Sequence, residues 1–85
     1  MMAALKATEN GHEVTLLEKN EKLGKKLFIT GKGRCNVTNA SDMETIMSQI
    51  VTNPRFLYSA FSDCSNTDVM ELIENGGCPL KIERG

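Results

Sequence analysis

The chain has 85 residues, 10 basic and 11 acidic side chains, a net charge of −1 and 40% hydrophobic residues. That is enough for one small domain of ordinary globular composition, and it excludes a disordered chain. The near-neutral charge supplies no overall field for nucleic acid or anionic membrane. No apolar run approaches the roughly 20 residues of a membrane span. The opening Met1-Met2-Ala3-Ala4-Leu5-Lys6 lacks the basic-then-apolar order of a signal peptide, so a cytoplasmic location is expected. Three irregularly spaced cysteines, Cys35, Cys64 and Cys78, form no CxxC pair and do not suggest a disulfide framework. With His12 as the one imidazole, no metal site is expected.

In chain order, residues 1–10 predict a helix, being rich in good helix formers, and Asn10-Gly11 supplies its stop. Val14-Thr15-Leu16-Leu17 is a short apolar run bounded by Gly11 and the charged Glu18-Lys19-Asn20, which predicts a buried parallel strand. Residues 19–39 are polar and glycine-bearing, with a helical turn expected over Lys25–Ile29 and loop elsewhere. Ser41-Asp42-Met43-Glu44 reads as a capping box. Met43, Ile46, Met47, Ile50 and Val51 then recur at helical spacing on one face. Asn53-Pro54 ends that helix and opens another with Pro54 at its first position, and Phe56, Leu57, Ala60 and Phe61 form its apolar side. A third helix starts near Asn66 or Thr67, turns Val69, Leu72 and Ile73 inward and stops at Gly76-Gly77. Pro79 to Glu83 alternates like a short strand.

A lone parallel-type strand leaves its backbone N–H and C=O groups unpaired. Either it pairs with another copy of the chain, or the chain is an incomplete piece of a larger domain. The second is favoured, because the sequence opens inside a helix and ends just after a strand begins; self-association is expected to compensate.

Two clusters carry candidate chemistry. In a dinucleotide-binding βαβ unit a glycine-rich turn leads into the first helix, and the next strand ends in an acid that hydrogen-bonds the adenosine ribose. Glu18 follows the 14–17 run and takes that position if a glycine turn precedes Met1; a solvated carboxylate is the plain alternative. The second cluster is Thr30-Gly31-Lys32-Gly33-Arg34-Cys35-Asn36. Its glycines let backbone amides approach a phosphate, and Lys25, Lys26, Lys32 and Arg34 add charge. It is not a Walker A loop, since Lys26 and Gly33 stand where glycine and Ser or Thr are needed. A basic surface loop is an equal alternative. Cys35 beside Arg34 is a redox candidate, but with no second cysteine at hand packing is the stronger expectation.

The segments Val14–Asn20, Leu23–Leu27 and Thr30–Asn39 together resemble the bacterial BaiN/YhiN-type flavoproteins, NAD(P)/FAD-dependent, aminoacetone-oxidase-like oxidoreductases. The resemblance extends to Asn53–Phe61 and Pro79–Gly85, and Gly33-Arg34-Cys35-Asn36 is its specific part. In that family a strand and a Gly-Gly-Gly-x-Ala-Gly turn precede residues like Met1-Met2-Ala3-Ala4. The resemblance implies an α/β fold, a partial FAD/NAD(P)-binding Rossmann-like domain that is mostly helical. Residues 1–39 would be the remnant of a βαβ unit plus cofactor loop, and residues 40–85 a helical segment and short strand. It implies non-covalent FAD, with NAD(P)H as a further candidate, and a small-molecule substrate for the full-length protein. Glu18 would hold the ribose with Lys19 beside it, and Lys25 would add charge. Gly31, Gly33, Arg34, Cys35 and Asn36 would run along the pyrophosphate-to-flavin part. Arg34 would face an anion, the flavin edge or backbone carbonyls, and Asn36 the flavin or ribitol. No catalytic residue is identifiable, and the 85 residues alone are expected to be inactive. The competing reading is a small helical interaction module whose basic loop binds an anion; neither nucleic acid nor membrane is expected as a partner.

Overall fold

The computed structural model describes residues 1–30 and 34–83; Gly31, Lys32, Gly33, Arg84 and Gly85 lie outside them. The chain divides into two units, Met1–Cys35 and Asn36–Gly85.

The first unit opens with α1 (Met2–Glu9). No side chain caps its start, and an exposed Lys6–Glu9 pair at 3.0 Å adds little. Its end is specified more strongly. Gly11 N–H donates to the Thr8 carbonyl and His12 N–H to the Ala7 carbonyl, both at 3.0 Å. These two bonds form a Schellman motif, which requires a left-handed residue, and Gly11 supplies it at φ 80°. The expected strand at 14–17 is not formed, and no strand occurs among the described residues. Leu17 is 91% exposed. The cause is nonlocal: a parallel strand exists only through its ladder, and no partner strand lies among the described residues. The turn expected at Lys25–Ile29 is present as α2 (Lys25–Ile29), entered through Gly24 at φ 72°.

In the second unit, α3 (Met43–Ser48) begins one residue later than expected. Its N-cap is Asp42, whose Oδ1 accepts from Thr45 N–H at 2.8 Å; the box from Ser41 to Glu44 is not made. An ionised carboxylate is a stronger acceptor than a hydroxyl. Met43, Ile46, Met47 and Ile50 are half-buried together, but Val51 is 98% exposed because the helix has ended. A 3₁₀ turn, Pro54–Leu57, comes next, with Pro54 at its start as expected, and runs into α4 (Tyr58–Asp63). Asn53 enters it at φ 50°, a conformation asparagine tolerates better than most residues. Phe56 faces outward instead of inward, because a 3₁₀ turn advances each residue further around the axis than an α-helix does. Ala60 is also exposed, and Leu57, Phe61 and Cys64 share the half-buried side.

The last helix, α5 (Asn66–Asn75), carries a full capping box that links Ser65 and Asp68. Val69, Leu72 and Ile73 are half-buried as expected. Its end repeats the motif of α1: Gly77 N–H donates to Glu74, Cys78 N–H donates to Ile73, and Gly77 stands at φ 92°. Pro79–Glu83 forms no strand, for want of a partner as at 14–17. Among the described residues no apolar side chain is fully buried, and the one buried residue is Asn66, 7% exposed. Its amide nitrogen donates to the carbonyls of Asn39 at 2.7 Å and Ser41 at 2.9 Å, tying the start of α5 to the segment that leads into α3.

Three outcomes are expected. Substituting Gly11 or Gly77 by Ala should cost about 1–2 kcal/mol each, read as lost helicity in far-ultraviolet circular dichroism; no atom crowds either added Cβ, so the cost is conformational. Asn66→Ala should lower the stability of the second unit by about 1–3 kcal/mol in urea unfolding. Asn66→Asp should do so more severely, since it sets a carboxylate against two carbonyls. Finally, Asp42 and Asp68 titrate below the ordinary 3.8, because the backbone N–H groups of Thr45 and Ser65 bond the ionised form. Their caps therefore contribute in full above that value and fade as pH falls through the lower folded values. Acid titration of helicity should show this step, and the Asp42→Asn, Asp68→Asn double variant should lack it, since Asn caps without titrating.

Candidate functional site

The first unit holds most of the candidate residues. After the 14–17 segment the chain turns sharply. Glu18 Oε1 accepts from the Asn20 backbone N–H at 2.9 Å and from Asn20 Nδ2 at 3.0 Å. The carboxylate is thus held in one direction, and Oε2 has no partner among the described residues. Lys19 and Lys25 are exposed. Gly24, just before Lys25, lies against the entry to α1: a Cβ placed on it would sit 3.8 Å from Met1 Cε and 3.9 Å from Leu27 Cδ1. The tip of the Met1 side chain thus reaches the turn that enters α2.

Arg34 and Cys35 are exposed at the end of this unit, with Cys35 a free thiol. Asn36 is exposed and opens the second unit. Gly31 and Gly33 lie outside the described residues. No hydrogen bond joins any two of Glu18, Lys19, Lys25, Cys35 and Asn36. Among the described residues no group of His, Cys, Asp or Glu could hold a metal ion, and no helix is long and apolar enough to cross a membrane. Sequence reasoning missed Asn20, although an amide two residues beyond a carboxylate is a recognisable turn signal. It also missed the Ser65-Asn66-Thr67-Asp68 capping signature.

The second unit carries an open groove of about 580 Å³, lined by Met43, Glu44, Met47, Tyr58, Phe61, Ser62 and Ser65. None of the sequence-derived candidates lines it. Met43 and Met47 serve there as helix-face packing, and Tyr58 stands at the rim, 67% exposed.

Residues 1–85 match the family described as HI0933-like protein Rossmann domain. Two ribosomal RNA dihydrouridine synthases are similar to the chain. The Haemophilus influenzae protein is 30% identical over 77 residues, covering 91% of this chain and 19% of that protein. The Escherichia coli protein is 32% identical over 78 residues, covering 91% and 19%. The chain thus spans about a fifth of the length of these relatives. No solved structure matches it. The chain belongs to the HI0933-like Rossmann-domain family.

Proposed function

We propose that this HI0933-like chain is the FAD-binding part of a flavin-dependent oxidoreductase. The observation that carries the reading is the match of all 85 residues to a Rossmann-domain family. In such domains an acid at the end of the second strand accepts from the adenosine ribose. Glu18 is our assignment for that role, with Lys19 beside it. Its fit is chemical: Asn20 fixes the carboxylate and occupies Oε1, which leaves Oε2 to accept from a hydroxyl.

A second point of fit is the start of α1, which no side chain caps. Anions are favoured at helix N-termini, where unpaired N–H groups and the helix dipole point the same way. Lys25 is our assignment for further positive charge toward the phosphates. We assign Arg34, Cys35 and Asn36 to the flavin side, and Gly31 and Gly33 to the pyrophosphate on sequence grounds alone. Bound FAD would supply the two-electron chemistry, while these residues orient it. NAD(P)H belongs to the proposal as the electron source. The names of the two relatives favour a ribosomal RNA substrate over the small molecule expected from sequence. The interaction-module reading has one observation in its favour, the open groove beside α3 and α4.

Within these 85 residues no glycine-rich turn leads into α1. FAD fluorescence titration should therefore find weak binding by this chain. Adding a Gly-x-Gly-x-x-Gly turn ahead of Met1 should tighten it by about tenfold or more. In the extended chain, Glu18→Ala should weaken FAD by about tenfold. Submicromolar affinity of the 85-residue chain would overturn the first expectation. Absence of binding by both chains would sink the FAD reading.

A further inference from the structure

We draw no further inference here: the strongest candidate, the open groove beside α3 and α4 of the second unit, lined by Met43, Met47, Tyr58 and Phe61, is an apolar face and nothing in the structure shows what covers it.

Discussion

The second unit depends on one side chain. Asn66 is buried, and its amide nitrogen gives both hydrogens to the carbonyls of Asn39 and Ser41, 27 and 25 residues earlier in the chain. Burying an amide is unfavourable unless its donors are satisfied, and here both are. The contact also shapes the neighbouring helix start. Ser41 gives its carbonyl to Asn66 and its N–H to Asn39 Oδ1, and Asp42, the next residue, caps α3. A polar clamp thus organises the entrance to α3 and the start of α5, in a unit whose apolar side chains are at best half-buried.

Every feature that was legible in the sequence is local. Gly11 and Gly77 stop their helices because each chain end needs a left-handed residue within one turn. Pro54 starts a helical turn because its ring already has the right φ. The Lys25–Ile29 turn and the inward face of α5 follow from composition and spacing over a few residues. The failures are nonlocal or lie at element ends. Val14–Leu17 has the composition of a buried strand, yet composition does not supply a ladder. Val51 and Phe56 were placed by extending a 3.6-residue period past the end of α3 and across a 3₁₀ turn.

The candidate site was legible in a different way. Spacing alone gave Glu18 little weight, since a helix, a glycine, an apolar run and an acid recur in many chains. Its weight came from the resemblance carried by Gly33-Arg34-Cys35-Asn36; the family match covers residues 1–85 as a whole and singles out no residue. What the structure adds is physical. Asn20 holds the Glu18 carboxylate, and the tip of the Met1 side chain reaches Gly24. Neither contact leaves a periodic signal, because each joins a loop residue to a neighbour through geometry instead of pattern.

The unpaired apolar run and the ribose contact proposed for Glu18 share a single constraint. In a strand, successive side chains point to opposite faces, so a ladder through Val14–Leu17 would fix the direction of Leu17 and therefore of Glu18. Without a ladder, Leu17 is almost wholly exposed and the Asn20 turn alone orients the carboxylate. Two hydrogen bonds on a solvent-exposed turn hold a side chain less firmly than a paired strand beneath it, since water competes for both. A ribose contact at Glu18 therefore gains precision from whatever pairs with residues 14–17.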